Sequence, residues 1–208
     1  MRTLHVVVHP QATHHVERIV GGWHDSQLTP AGARAASSVA AALRTRIPAD
    51  AEVGLFSSDL QRAAQTARIV GKLLDVVPVL DRRLREKSYG EAEGKPQDWL
   101  DQRFVPPPPT GERMHHHEGV PGAETKAAFA HRVYAAMDAI LAIRCEHQIV
   151  VTHGFAHTYV VAAWIGMPIE SLGYVSLRAP GGGITTLHED DYFHNRQVLT
   201  LGDTRHLD

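Results

Sequence analysis

Two short runs of β-branched residues, each followed by a histidine, constrain the fold of this chain most strongly. The first run is Val6-Val7-Val8-His9, and the second, far downstream, is Ile149-Val150-Val151-Thr152-His153. Runs of this composition are typical of parallel strands that are buried on both faces. In open α/β sheets, ligands bind at the carboxyl ends of such strands. We therefore expect His9 and His153 to face one site.

Strand-like and helical patterns alternate along the 208 residues. This alternation predicts a three-layer α/β/α sandwich with a mostly parallel central sheet. We expect one domain, 1–208, in which a polar, proline-rich segment at about 82–122 forms a cap over the sheet. A polar stretch, 9–27, is expected to be a functional loop. The predicted strands are 4–8, 53–57, 76–80, 149–152, 175–177, 183–187 and 197–201, and the predicted helices are 29–46, 58–74, 97–103, 125–144 and 156–165.

Charge and composition exclude several classes of partner. The formal net charge is -2, whereas nucleic-acid and membrane-surface binders normally carry a clear basic excess. No apolar run approaches the ~20 residues that a membrane-spanning helix needs. Cys145 is the only cysteine, and no signal peptide is recognisable, so we expect a cytoplasmic protein. An exposed edge strand near the C-terminus would permit a homodimer.

Four residues with complementary chemistry are expected at strand ends or helix starts: His9, Arg62, Glu86 and His153. A neutral imidazole can attack a phosphoryl group and hold it covalently. Arginine matches the planar, bidentate geometry of phosphate oxygens. A nearby carboxylic acid can protonate the leaving oxygen. A second histidine, if protonated, stabilises the charge on the transferring group.

Five segments then follow one another in an order that carries a family resemblance. They are Val6-Val7-Val8-His9-Pro10-Gln11, the segment from Gly22 to Gly32, the segment from Ser57 to Ala67, Leu84-Arg85-Glu86 with Gly90 and Glu93-Gly94, and Val150-Val151-Thr152-His153-Gly154. Each resembles a motif of the histidine phosphatase superfamily, the group that contains cofactor-dependent phosphoglycerate mutase. The resemblance runs almost from end to end of the chain.

The resemblance implies a role for each matching residue. His9 would accept the phosphoryl group, Glu86 would donate the proton, and Arg62 and His153 would belong to the phosphate pocket. His15, Gly154 and Gln11 occupy further motif positions where contact with the phosphate is expected. The implied reaction is metal-independent and needs no cofactor, and its substrate is a small phosphorylated molecule. We expect hydrolysis rather than mutase activity, because the insert at about 95–121 is shorter than in a typical mutase.

The chain also departs from the family pattern at the nucleophile. Val8 stands where the family has arginine, and Pro10 replaces the usual glycine. Another cation could supply the missing charge, with His14, His15, Arg85 and Lys87 as candidates. Alternatively, the substrate carries something other than a dianionic phosphate, or the protein is a divergent member that binds a ligand without phosphatase activity. A metal-dependent enzyme that uses the clustered histidines, among them His115-His116-His117, is a further alternative.

Overall fold

A single six-stranded sheet forms the centre of the protein. The computed structural model describes all residues, 1–208. The strands are β1 (Arg2–Val8), β2 (Val53–Ser57), β3 (Val79–Leu80), β4 (His147–Thr152), β5 (Ile184–Glu189) and β6 (Arg196–Asp203). Their order across the sheet is β3-β2-β4-β1-β5-β6. The first four strands are mutually parallel, whereas β5 runs antiparallel to both β1 and β6.

Six α-helices connect and flank these strands. They are α1 (Thr13–Glu17), α2 (Pro30–Arg46), α3 (Gln61–Leu74), α4 (Gln97–Asp101), α5 (Lys126–Ala142) and α6 (Gly154–Trp164). Helix α2 begins at Pro30 because the Thr29 hydroxyl accepts a hydrogen bond from the Gly32 backbone N–H, and proline suits the first helical position. None of the helices combines the length and apolar character that a membrane crossing requires.

Helices cover both faces of the sheet. Because successive side chains of a strand point to opposite faces, Val6 and Val150 pack against α5 and α6, while Val7 and Val151 pack against α2 and α3. All four valines are fully buried. The predicted α/β fold with flanking helices is therefore confirmed.

The sheet register brings the two histidines together. Val8 lies opposite Thr152 in the parallel pair of β1 and β4, and the backbone N–H of His9 donates to the Thr152 carbonyl over 3.0 Å. His9 and His153 are thus the first residues beyond two neighbouring strands. The chain between these two strands includes β2, α3 and α5, and it returns to the sheet as β4 beside β1.

The segment between β3 and α5 packs beside the loop that follows β1. A small apolar cluster joins Val20 of that loop to Ala92, Leu100 and Val120 of the segment. The backbone of Val20 also exchanges hydrogen bonds with residues 94 and 95. The division of the chain into one domain with a cap stays a prediction.

Three expectations about secondary structure were wrong. The stretch 9–27 contains a helix, α1. The predicted strand 76–80 is reduced to Val79–Leu80, since Pro78 has no backbone N–H to donate to a neighbouring strand. No strand forms at 175–177, because the backbone N–H and carbonyl of Leu177 bond to the side chains of Thr158 and His157.

Candidate active site

A cavity of about 500 Å³ opens at the carboxyl end of β1. Five of the predicted site residues line it: His9, His15, Arg62, Glu86 and Gly154. Val8 lines it as well, so the missing arginine leaves a valine in the cavity wall. This is the sheet edge at which a doubly wound fold gathers its ligands.

The hydrogen bonds of His9 fix its tautomer. Its Nδ1 lies 2.7 Å from the carbonyl oxygen of Pro10, which can only accept, so the proton is on Nδ1. Its Nε2 lies 3.1 Å from Nε of Arg62, which can only donate, so Nε2 carries the lone pair. Burial and the Arg62 charge lower the pKa of His9 well below its usual range. His9 is therefore a neutral imidazole with an unprotonated Nε2 beside a guanidinium.

Arg62 is almost completely buried, and its guanidinium is held largely by backbone carbonyls. One terminal nitrogen donates to the carbonyl of Gly22 and the other to that of His24, each over 2.7 Å. The latter nitrogen also lies 3.4 Å from the Ser26 hydroxyl. Burial lowers the pKa of Arg62 to about 10, so it remains cationic at neutral pH. These bonds fix the cation beside His9 but use most of its donors.

His153 lies behind His9 rather than in the cavity wall. The two ring centroids are 5.0 Å apart and the rings meet edge to face. The Nε2 of His153 is 2.8 Å from the Ser58 hydroxyl, whereas its buried Nδ1 has no partner. Burial and the neighbouring Arg62 lower the pKa of His153 well below the usual range, so His153 is neutral at neutral pH.

Glu86 lies at the cavity and caps helix α6. Its carboxylate accepts backbone N–H bonds of 3.0 Å each from Lys87, Phe155 and Ala156. Burial raises the pKa of Glu86, and these hydrogen bonds partly oppose that rise. A carboxyl with a raised pKa at the cavity can hold the proton that a leaving oxygen needs.

Arg132 of α5 holds the loop that carries Glu86. Its guanidinium donates to the carbonyls of Arg83, Arg85 and Glu86 over 2.7–2.9 Å. The same group is fixed by two hydrogen bonds to the carboxylate of Glu124. All five donors are thus engaged, so Arg132 sets the position of the Glu86 backbone.

The structure does not supply the missing charge from the expected candidates. Arg85 is paired with Asp59, and buried Lys87 is paired with Glu118; neither lines the cavity. These two expectations were wrong because each cation is neutralised by its own carboxylate. The other two candidates, His14 and His15, do line the cavity.

These two histidines are neutral at neutral pH. Burial, then the electrostatic interaction with neighbouring His15 and Arg62, lower the pKa of His14 to about 3. Burial and the Arg62 charge also lower the pKa of His15. The Nδ1 of His15 accepts from the Ala12 backbone N–H, so its proton is on Nε2. Both imidazoles therefore offer the cavity hydrogen-bonding groups rather than positive charge.

Gln11 lies outside the cavity. Its side-chain oxygen accepts from the Thr29 hydroxyl over 2.8 Å, and its backbone carbonyl accepts from the Thr29 N–H. Gln11 thus fixes the start of α2, and its contact with phosphate stays a prediction. Elsewhere, no group of three histidine, cysteine or carboxylate side chains is placed to hold a metal ion.

Several residues that line the cavity were not identified from the sequence. They come from the turn after α1, from the cap segment and from the loop before β5: Arg18, Ile19, Tyr89, Gln97, Ala179 and Gly181. Only Gly181 had a signal, the glycine run 181–183. A Cβ at this position would lie 3.3 Å from the carbonyl oxygen of His9, so glycine permits the close approach of the two loops.

A sequence model of the histidine phosphatase superfamily (branch 1) matches residues 4–201. The chain therefore belongs to the histidine phosphatase superfamily, and with it to a class of phosphoric monoester hydrolases. Among curated relatives, a probable phosphoglycerate mutase GpmB of Yersinia pestis is 29% identical over 215 aligned residues, which cover 100% of this chain and 96% of the relative.

Solved structures share the fold. YhfR of Bacillus stearothermophilus superposes with a TM-score of 0.79 at 24% identity, over 100% of both chains. A mycobacterial glucosyl-3-phosphoglycerate phosphatase, solved with VO3, gives 0.78 at 23% identity over 97% of this chain and 99% of its own. The α-ribazole phosphatase of Shigella flexneri gives 0.76 at 20% identity over 97% and 96%.

Proposed function

We propose that this protein hydrolyses a small phosphomonoester through a phosphohistidine at His9. One observation carries the proposal: the Nδ1–H of His9 is bound to the Pro10 carbonyl, which leaves the Nε2 lone pair at the cavity beside Arg62. An imidazole in this tautomer can act as a nucleophile without first losing a proton, once its Nε2 lone pair is released from the hydrogen bond that Arg62 donates.

The first step transfers the phosphoryl group to the protein. The Nε2 of His9 attacks phosphorus, the bond between phosphorus and the ester oxygen breaks, and the leaving oxygen takes a proton from the Glu86 carboxyl. The raised pKa of Glu86 favours its protonated form for this role. Arg62 and the N–H groups of His15 and Gly154 are the proposed donors to the phosphoryl oxygens.

The second step returns the protein to its starting state. Water attacks phosphorus, the bond between phosphorus and Nε2 breaks, and the Glu86 carboxylate takes a proton from the water. Phosphate leaves, and His9 is again neutral. His153, packed 5.0 Å behind the His9 ring, gains a favourable charge interaction if it takes up a proton while the anion is bound.

The relatives support this class of substrate. Two of the structural neighbours are named as phosphatases of small phosphorylated metabolites, and the curated relative is named as a probable mutase of one. Hydrolysis and mutase activity differ in the product, so 3-phosphoglycerate distinguishes them. A hydrolase releases inorganic phosphate from it, whereas a mutase yields 2-phosphoglycerate.

The proposal is tested by turnover of p-nitrophenyl phosphate and a panel of sugar and nucleoside phosphates, with a His9→Ala variant as the control. We expect turnover that persists after EDTA treatment and is lost in the variant, together with an acid-labile phosphoryl group on the rapidly quenched wild-type protein. Equal turnover by both proteins would overturn the role of His9. Phosphate binding with no turnover by either protein would instead support the divergent, non-catalytic alternative, which the absence of an arginine at Val8 favours.

A further inference from the structure

The cavity contains one guanidinium whose donors are almost unused, that of Arg18. Two arginines line the cavity. Arg62 is buried and bonded to backbone carbonyls and to His9, as described above. The side chain of Arg18 is 77% exposed, and its single carboxylate neighbour, Asp98, lies 3.7 Å away and is equally exposed. An ion pair of this kind is weak and readily exchanged for a ligand.

The backbone holds Arg18 at a fixed place in the cavity wall. It follows the last residue of α1 with φ +54°, a left-handed conformation that non-glycine residues adopt infrequently. Its carbonyl accepts from the Gln97 backbone N–H over 2.8 Å. The next residue, Ile19, forms a β-bridge with Pro96. Arg18 is therefore anchored between α1 and the cap segment, and its long side chain remains solvated.

Other cations close to the site are committed elsewhere. Arg85 is bonded to Asp59, Lys87 to Glu118, and Arg132 to Glu124. The neutral histidines add no charge. Arg18 consequently provides the cavity with a cation that is separate from the pair formed by His9 and Arg62.

We propose that Arg18 binds a second anionic group of the substrate, a carboxylate or a second phosphate on the part that is not transferred. This inference rests on the proposed function, which places the phosphoryl group at His9. A cavity of about 500 Å³ has room for a phosphoryl group together with an organic portion that reaches from His9 toward Arg18. The substrate class is therefore phosphomonoesters with an additional negative charge.

The test measures binding, so it does not depend on turnover. The probes are 4-carboxybenzylphosphonate and its methyl ester, which share a non-hydrolysable phosphonate and differ by one negative charge. Calorimetry gives the dissociation constants for the wild type, Arg18→Gln and the control Arg34→Gln, which changes an exposed arginine outside the cavity. We expect the wild type and the control to favour the carboxylate by about tenfold, a typical size for a charge-assisted hydrogen bond at a partly solvated site.

In Arg18→Gln, this preference should disappear, while affinity for the ester stays constant. A wild type that binds both probes equally, or a preference that survives in Arg18→Gln, overturns the inference. If Arg18→Gln weakens both probes to the same extent, Arg18 contacts the phosphoryl group instead, and the inference is again wrong. Failure of the proposed function is a separate result: phosphonate binding with the predicted preference, but no release of phosphate from 4-carboxyphenyl phosphate.

Discussion

The carboxylate of Glu86 lies 3.0 Å from the backbone nitrogen of Ala156, so the proposed proton donor also caps the helix that follows the second histidine. Glu86 therefore combines two roles in one side chain, the proposed donation of a proton and the capping of helix α6. Burial raises the pKa of Glu86, whereas the N–H groups at the start of α6 favour its ionised form. Binding of a phosphate anion at the cavity would raise this pKa further.

Glu86→Gln should distinguish the role of Glu86 as a proton donor from its role in capping helix α6. We expect kcat for an alkyl phosphate to fall about 100-fold, because the leaving oxygen loses its proton donor. The loss should be much smaller for p-nitrophenyl phosphate, whose leaving group needs little protonation. Helix α6 should lose about 1 kcal/mol of stabilisation with part of its cap. Steady-state kinetics and chemical denaturation check both effects.

The exposed acid Glu91 provides the control for this change. Glu91→Gln should leave kinetics and stability unaltered. A Glu86→Gln variant that loses equal activity on both substrates would contradict the role of Glu86 as a proton donor.

Val8→Arg should strengthen phosphate binding. The Val8 side chain in the cavity wall is apolar, and the candidate compensating cations are either paired or neutral, so none of them already takes the role of an added guanidinium. A well-made charge-assisted pair of hydrogen bonds would lower the Kd for inorganic phosphate by about tenfold or more. Calorimetry measures this, with far-ultraviolet circular dichroism as the check on folding.

Val8→Met adds an unbranched side chain without the charge and should not tighten binding. Unchanged phosphate affinity in a folded Val8→Arg protein would show that the position does not reach the anion.

Arg132→Lys should impair the position of Glu86 while the nucleophile stays intact. Lysine keeps the charge but cannot reproduce five donors in a planar fork, so several of the carbonyl and carboxylate contacts are lost. We expect kcat to fall about tenfold or more with little change in KM.

A purely structural role for Arg132 would lower thermal stability alone. The distinguishing measurement is therefore the pH profile of kcat, in which the limb due to Glu86 should shift in Arg132→Lys. A profile that keeps its wild-type shape would show that Arg132 does not act through Glu86.

Stability should fall in mild acid because of buried His5. Burial, and then the Arg46 charge, lower its pKa from 6.5 to about 4 in the folded protein. Below pH 6.5 the unfolded chain binds the proton and the folded protein does not, so stability is lost as the pH falls from 6.5 to 4. The loss reaches about 3 kcal/mol at the lower limit, from about 1.4 kcal/mol per pKa unit.

His5→Leu should reduce the acid-dependent part of the free energy of unfolding, measured by denaturant titration between pH 4 and pH 7. His131→Gln, a change at an exposed position of α5, is the control. Identical pH dependence in wild type and His5→Leu would contradict this assignment.

The sheet and the cavity floor were largely predictable, whereas the cavity wall was not. Apolar runs, rich in β-branched residues in β1 and β4, locate β1, β2 and β4 to within a few residues, because burial on both faces leaves a strong apolar signal. The register then places His9 beside His153. Helix α1 is short and rich in histidine, and its stability depends on tertiary contacts such as the hydrogen bond of His14 to Ser26, which no local pattern reveals.

The partners of individual cationic side chains were equally unpredictable from the sequence. Lys87 follows Glu86 in the chain, yet its side chain pairs with Glu118, which lies later in the cap segment 82–122. Arg62 matched its motif, but its bonds to the carbonyls of Gly22 and His24 require the folded loop. Such partners are separated by tens of residues, and spacing alone does not identify them.

The parallel pairing of Val8 with Thr152 has a consequence for how this scaffold could change its substrate. The position of the nucleophile is set by the buried central sheet, while part of the cavity wall, including Tyr89 and Gln97, comes from a separate stretch between β3 and α5. Exchange of that stretch for one from another phosphatase should alter which molecules are accepted and leave the phosphoryl-accepting nitrogen where it is.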